Sequence, residues 1–435
     1  MAGIGAASRK PWLVGFVVFA LSVAAYAVLT SQWPGVWKHT DASVYRAAGD
    51  LVMHRPGALY TDKLGAPRLP FTYPPFAALL FALPSPLPFA VWEYAVVAVN
   101  VVLLPVIAYA CLSLAGLARR PKLTGTFLVA AVALWLEPVY MTTFFGQINL
   151  ILLALIAVDL ALPERSRFKG IGIGLAAGIK LTPLIFIVYL WFAGFRRAAV
   201  TAVVTVVTTV IVGFAFLPAA SADFWGGRMM RPGDGPERLV NQSLNGVVSR
   251  LAGEDATAWW LAAALPVGLL GLAVAVTAGR RGLGLVAFLA CGVTSLLVSP
   301  ISWSHHWVYT VPALALALSF TGSRALRWTA ATAVAALFVM WPSWMAEFRG
   351  IPSSLTVALS PRGWLRHVDH DGGKEYDWQG LQLIGGNYYV LAGLAFLIGT
   401  AVYLHRTRTR EAASPIASAP EPADQVQQPL DVPAR

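Results

Sequence analysis

Residues Pro11–Thr30, PWLVGFVVFALSVAAYAVLT, form one apolar run, and Trp37-Lys38-His39-Thr40-Asp41-Ala42-Ser43-Val44-Tyr45 follows closely. The run is long enough to cross a bilayer as a helix. Arg9 and Lys10 precede it, and basic residues favour the cytoplasmic side. Asp41 then falls at or just beyond the outer membrane edge, among Trp33, Trp37 and Tyr45. A partly desolvated carboxylate is costly there unless it has a task. No clear cleavage site follows the run, so it reads as an uncleaved first helix.

The rest of the 435-residue chain supports a membrane frame. It is 57% hydrophobic and only 12% charged, with a mean hydropathy of +0.65. Soluble domains carry about 25% charged residues. The formal net charge of +11 would suggest nucleic acid in a soluble protein. Here the basic residues sit in short loops between apolar runs, the positive-inside pattern, and no nucleic-acid partner is indicated. Cys111 and Cys291 both lie in apolar runs, so no disulfide framework is expected.

Read in order, the chain is an all-α polytopic membrane protein with about 12 membrane helices. Expected helices cover about 11–31, 90–116, 123–141, 147–163, 197–217, 259–279, 282–298, 305–321, 325–342 and 386–405. The remaining pair comes from 170–193. Basic clusters flank that segment, and Gly178-Ile179-Lys180-Leu181-Thr182-Pro183 interrupts it. Two short re-entrant helices turning near Lys180 are expected, because irregular backbone at depth needs protein or water around it. Residues 1–10 are a cytoplasmic N-terminus, 11–405 the membrane-embedded domain and 406–435 a cytoplasmic tail, disordered by composition. Outer loops are expected at about 32–89, 218–258 and 343–385. The first contains Tyr73-Pro74-Pro75, and adjacent prolines bar a regular helix at that point. The third contains Arg362, Arg366, His367, Asp369, His370 and Asp371. Every basic inter-helix cluster then lands on one side, with both termini cytoplasmic.

The polar segments collect on the outer, periplasmic face: Asp41, Tyr-Pro-Pro, Gly146-Gln147-Ile148-Asn149, Asn241-Gln242-Ser243-Leu244-Asn245-Gly246 and Ser299-Pro300-Ile301-Ser302-Trp303-Ser304-His305-His306-Trp307. Lys180 can approach from below. Loops gathered on one face of a rigid frame are where an active site belongs. A P-loop, a dinucleotide fingerprint, an HExxH pair and a multi-cysteine site are all absent from the sequence, so ATP coupling is unsupported. A substrate activated elsewhere, such as a lipid-phosphate sugar, fits better.

Each of these residues also has a structural reading. Asp41 suits the N-cap of a helix starting at Ala42. His305-His306 can be interfacial, Lys180 can snorkel, and Gln147 and Asn149 can satisfy a tight turn. Asn241-Gln242-Ser243 meets the N-glycosylation pattern. Tryptophans at membrane edges commonly anchor.

Taken together and in this order, the motifs resemble the actinobacterial polyprenyl-phosphate-mannose-dependent α-(1→2)-mannosyltransferases, which are GT-C-type membrane glycosyltransferases. The resemblance runs from the first helix to about the tenth. It implies a polyprenyl-phosphate mannose donor, a lipid-linked glycan acceptor and inversion at the anomeric carbon. Products of the phosphatidylinositol mannoside, lipomannan or lipoarabinomannan type follow. Asp41 is then the general base. His306 or His305 assists, and since helix neighbours point about 100° apart, one faces the cavity, with His306 favoured. Lys180 would stabilise the leaving phosphate. Tyr45, Tyr73, Gln147, Asn149, Asn241, Gln242 and Trp303 are candidate substrate ligands. No metal or other cofactor is called for. The competing class is a lipid or sugar transporter or flippase, which would show inverted repeats and midplane ionisable residues. A structural envelope partner, the third class, would need neither Asp41 nor the histidine pair.

Overall fold

A computed structural model describes residues 11–31, 39–230, 235–319, 322–339 and 372–413. Trp33, Trp37, the segment 1–10, the charged stretch from Arg362 to Asp371 and the tail beyond 413 lie outside the described residues.

The described residues are overwhelmingly helical, with one two-stranded antiparallel ribbon, β1 (Lys63–Leu64) and β2 (Leu69–Pro70). Five helices are long and apolar enough to cross a membrane. They are α1 (Pro11–Ser31), α4 (Phe89–Leu114), α10 (Arg196–Phe216), α13 (Thr257–Arg280) and α18 (Tyr388–Ala413). Their outer faces carry exposed aliphatic residues such as Leu13, Val204, Ile211 and Leu265, as lipid-facing helices do. Five shorter apolar helices pack among them: α5 (Arg119–Ala133), α7 (Asn149–Ala161), α9 (Leu184–Ala193), α14 (Gly284–Val298) and α15 (Thr310–Ser319). Nearly every residue of α14 from Leu285 to Leu297 is buried. A helix apolar on all sides belongs in the centre, and α14 is the middle of the core.

Two expected boundaries change. The helix expected at 123–141 is split into α5 and α6 (Glu137–Phe145). Pro138 stands in the first turn of α6, where its missing N–H costs nothing. The helix expected from 305 starts at Thr310, because Ser304–His306 forms a separate 3₁₀ turn. A helix at 325–342 corresponds to α16 (Arg324–Phe338).

The segment between α1 and α4 is built around α2 (Thr40–His54) and α3 (Pro75–Ala82). Pro74 and Pro75 start α3, the position where proline is tolerated. Ala42, Tyr45, Ala48 and Gly49 are buried on α2. Gly49 lies directly against the Phe81 carbonyl, and a Cβ there would come within 2.3 Å of it. The short helices α11 (Pro218–Trp225) and α12 (Leu244–Ala252) lie in the segment between α10 and α13, and α17 (Leu381–Gly386) precedes α18.

Helix α8 (Ile171–Ile179) and α9 flank the break at Lys180. Cβ atoms built on Gly170, Gly174 and Gly178 meet Ala198, then Ala202 and Thr205, then Thr209 of α10. This small-residue stripe lets the two backbones approach closely. It also fixes direction: α8 climbs α10 from Ala198 to Thr209, roughly 16 Å of helix. Helix α9 ends at Ala193, just before α10 begins. The α8–α9 pair therefore enters and returns on the same side, with Lys180 near its tip. Asp159 locks the base of this hairpin. Its carboxylate accepts the Gly170 N–H at 2.8 and 2.9 Å and the Ile173 N–H at 3.1 Å. Lys169 Nζ donates to the carbonyls of Leu160 and Leu162 at 2.7 Å each, closing the end of α7.

Candidate active site

Asp41 sits in the first turn of α2, yet it does not cap the helix. The N-cap is His39, with φ 40° and no side-chain cap bond. The left-handed backbone at a non-glycine residue is uncommon. It is held by a bond from the His39 N–H to the Phe144 carbonyl, 3.0 Å, and by Nδ1 at 2.8 Å from Glu93 Oε1. The capping reading of Asp41 is thereby corrected. Its carboxylate instead faces the side chain of Gln147 and the charge of Lys180, both of which favour its ionised form.

Gly146 makes this meeting achievable. It closes α6 with φ 68°, a conformation glycine adopts without strain. A Cβ at this position would stand 2.5 Å from the Ala42 Cβ. The chain then delivers Gln147 beside Asp41 and Asn149 at the start of α7. Tyr45 OH donates to Gln147 Oε1 at 2.7 Å, and Tyr73 OH lies 3.3 Å from the same oxygen. The two phenol oxygens are 2.8 Å apart.

Lys180 faces this group from the tip of the α8–α9 hairpin. Nζ is 3.1 Å from His306 Nε2 and 3.4 Å from Asn149 Oδ1, and it stands 5.6 Å above the Tyr73 ring. The ammonium can only donate, so His306 Nε2 is the acceptor and the imidazole is neutral. Burial pushes the His306 pKa well below its usual value, and the Lys180 and His305 charges push the same way.

His305 turns elsewhere. Its ring packs edge-on against Phe145 at 5.3 Å. Its carbonyl accepts from Asn149 Nδ2 at 2.9 Å and Thr142 Oγ1 at 3.0 Å. Burial and the Lys180 charge push its pKa down to about 3. The structure thus directs His306 to the cluster and uses His305 as a backbone anchor.

Burial raises the pKa of Asp41 from 3.8 to about 6, against the downward pull of Lys180 and Gln147. A carboxylate poised near neutrality is suited to taking a proton.

An apolar cleft opens beneath the cluster. Asn149, Lys180 and His306 form its polar end, and Leu152, Leu153 and Ile156 of α7 continue down its wall. Leu296, Val308 and Tyr309 close the other sides. A cation at the head of a mostly apolar slot is complementary in charge to an anionic group carried on an apolar chain.

The structure does not bring Asn241, Gln242 or Trp303 to this cluster. Asn241 is fully buried, donating to the Pro236 carbonyl at 2.8 Å and accepting the Ser302 N–H at 2.9 Å. Gln242 donates to the Leu239 and Gly386 carbonyls at 2.7 Å each. Trp303 pairs through its backbone with Asn241. These residues latch the turn that carries the histidines, and a buried Asn241 cannot present itself for glycosylation. Arg250, 1% exposed, completes the latch through the Glu237, Arg238 and Asn241 carbonyls and Asn387 Oδ1.

One contributor escapes the motif reading. Glu137, 1% exposed, accepts from Ser304 Oγ at 2.9 Å and from Tyr389 OH. It ties α6, the histidine turn and α18 together. A lone carboxylate inside the apolar stretch 123–141 is the signal that marks it. Among the described residues no three His, Cys, Asp or Glu side chains converge as a metal site would require.

Residues 71–300 match the model of glycosyltransferase family 87. The chain belongs to this family. The match spans Tyr73, Gln147, Asn149 and Lys180, while Asp41 and His306 lie outside it. Among similar proteins is the polyprenol-phosphate-mannose-dependent alpha-(1-2)-phosphatidylinositol mannoside mannosyltransferase of Mycobacterium tuberculosis. It is 34% identical over 310 residues, 63% of this chain and 70% of the relative. The protein of the same name from Mycolicibacterium smegmatis is 29% identical over 410 residues, 86% of each chain. The polyprenol-phosphate-mannose-dependent alpha-(1-2)-phosphatidylinositol pentamannoside mannosyltransferase of M. smegmatis is 32% identical over 337 residues, 72% of this chain and 78% of the relative. No solved structure matches the chain. As a member of glycosyltransferase family 87 with several membrane-length helices, the protein is a multi-pass membrane glycosyltransferase.

Proposed function

We propose that the protein transfers mannose from polyprenyl-phosphate mannose to a lipid-linked mannoside acceptor, with inversion, forming an α-(1→2) linkage. One observation carries the reading: a carboxylate with a raised pKa faces a Lys180–His306 pair that heads an apolar cleft. The names of the relatives support the donor, and they favour a phosphatidylinositol mannoside as acceptor.

The step is a single displacement. The acceptor hydroxyl oxygen attacks the anomeric carbon, and the bond from that carbon to the phosphate oxygen breaks. Its electron pair leaves with polyprenyl phosphate, and the hydroxyl proton passes to Asp41. A phosphate is a stable anion, so little acid assistance is needed, and Lys180 stabilises the charge that develops on it. His306, neutral, holds the Lys180 ammonium through Nε2. Asn149 Oδ1 is a second, longer contact of the same ammonium. The isoprenoid chain would run down the cleft along Leu152, Leu153 and Ile156.

The proposed topology has twelve crossing or re-entrant helices, the cleft head facing the periplasm and both termini in the cytoplasm. The basic clusters at 119–122, 164–169, 196–197, 280–281, 324–327 and 405–410 support this orientation. The domain reading of 11–405 as one catalytic unit, with short cytoplasmic ends, belongs to the same proposal. No metal enters the step.

The test is transfer of radiolabelled mannose from polyprenyl-phosphate mannose to phosphatidylinositol mannosides in membranes containing the protein. A labelled glycolipid whose new linkage is cut by an α-(1→2)-mannosidase supports the reading. Label that crosses the membrane without forming a glycolipid supports a transporter instead.

A further inference from the structure

Tyr45, Tyr73 and Gln147 turn their polar atoms on one another rather than into open space. Both phenol oxygens crowd Gln147 Oε1, at 2.7 and 3.3 Å. An amide has a carbonyl end that accepts and an NH₂ end that donates. With the hydroxyls gathered at Oε1, the NH₂ end is left to face Asp41, and the Gln147 side chain favours the ionised form of that carboxylate. The ring positions are themselves fixed. Tyr45 stacks on Phe81 with centroids 4.5 Å apart. Tyr45 and Tyr73 meet edge to face at 5.4 Å, and the Tyr73 carbonyl is held by Tyr60 OH at 2.7 Å. The Gln147 backbone is pinned to the Thr142 carbonyl at 2.8 Å.

We propose that Gln147, its amide locked by Tyr45 and Tyr73, is a positioning residue that aims the Asp41 carboxylate at the acceptor hydroxyl, and that none of the three is a sugar ligand. The proposal rests on the reading of Asp41 as the base. An amide aimed at one carboxylate oxygen leaves the other lone pairs free to receive the proton. The groups facing Asp41 are Lys180 from the α8–α9 tip, Tyr45 from α2, Tyr73 from the turn before α3 and Gln147 from the turn before α7, with His306 behind Lys180. A donor to the ionised carboxylate favours the ionised form. Removing it raises the pKa of the base, so the acid limb of the rate profile moves to higher pH.

The experiment compares full-length wild type, Tyr45→Phe, Tyr45→Phe/Tyr73→Phe, Gln147→Leu, Gln147→Glu and Asp41→Asn. The substrates are polyprenyl-phosphate mannose and a phosphatidylinositol mannoside, varied separately across pH. For Gln147→Leu, kcat is expected to fall about tenfold or more, and the acid limb to rise by about one pH unit, while both KM values stay within about twofold. The double phenylalanine variant is expected to resemble Gln147→Leu rather than to add to it, since both release one amide. Gln147→Glu keeps the shape and sets a second carboxylate beside Asp41, so its acid limb moves furthest. It and Tyr45→Phe carry the test if the leucine variant does not fold. A raised KM for either substrate, with kcat and acid limb unchanged, overturns the proposal and makes these residues sugar ligands. Activity in Asp41→Asn removes the base reading and the proposal with it. An inactive Asp41→Asn beside clamp variants with wild-type kcat and acid limb removes the clamp alone.

Discussion

Lys180 Nζ and His306 Nε2 lie 3.1 Å apart although 126 residues separate them in the chain. The first stands at the tip of a hairpin braced on α10, the second on a turn braced by α6 and the 236–250 segment. The contact exists only when both supports are in place. It makes a cation with a fixed direction out of a flexible lysine, which is the form of charge that stabilises a leaving phosphate.

Replacing that cation is expected to be severe. Lys180→Met should lower kcat/KM about a hundredfold or more, and Lys180→Arg should recover only part of it, because a planar fork does not reproduce the ammonium. Lys180 also pulls the Asp41 pKa down. The residual activity of Lys180→Met should therefore show an acid limb at higher pH than wild type. Steady-state kinetics across pH in detergent or nanodiscs measures both.

The wild-type pH profile follows from Asp41. As the proposed base, Asp41 works ionised, and burial raises its pKa to about 6. kcat/KM should be level between about pH 6 and 8 and fall about tenfold per pH unit well below 6. His306 stays neutral throughout this range, so no second limb from imidazole is expected between pH 6 and 8. His306→Gln, which keeps an acceptor for Lys180, should retain more activity than His306→Ala.

Gly146 tests the backbone route that delivers Gln147. Gly146→Ala meets both the positive φ and the Ala42 Cβ at 2.5 Å. It should cost on the order of 2 kcal/mol in stability and lower kcat as α2 and α6 move apart. A melting curve paired with a rate measurement reads the two effects.

The latch around Asn241 and Arg250 should behave structurally. Arg250→Met leaves three carbonyls and Asn387 without their donor, and a loss of roughly 2 kcal/mol or more is expected. The loss should appear in thermal stability, while the KM for donor in the surviving fraction stays near wild type. Expression in a host that glycosylates proteins should leave Asn241 unmodified by mass.

The apolar runs and basic loops made the membrane class legible, because a bilayer imposes length and composition on any span. The break at Lys180 was equally legible, since Gly-Ile-Lys-Leu-Thr-Pro suits neither a continuous helix nor an isolated loop in lipid. The roles within the polar motifs were not. Asn241 and Gln147 are both amides in short polar segments. One is spent on the Pro236 carbonyl and the Ser302 N–H, the other on two phenols beside Asp41. Only the packing of distant elements separates them. Glu137 was hidden for the same reason: its partners Ser304 and Tyr389 lie 167 and 252 residues away. The split of α5 from α6 was signalled by Pro138, but apolar residues on both sides masked it.

The most direct measurement is mannose transfer from radiolabelled polyprenyl-phosphate mannose in membranes carrying equal amounts of wild type and Asp41→Asn. Wild type is expected to yield a labelled glycolipid, and Asp41→Asn, folded to the same extent by melting curve, is expected to yield none. Equal product from both would contradict the assignment of Asp41 as the base.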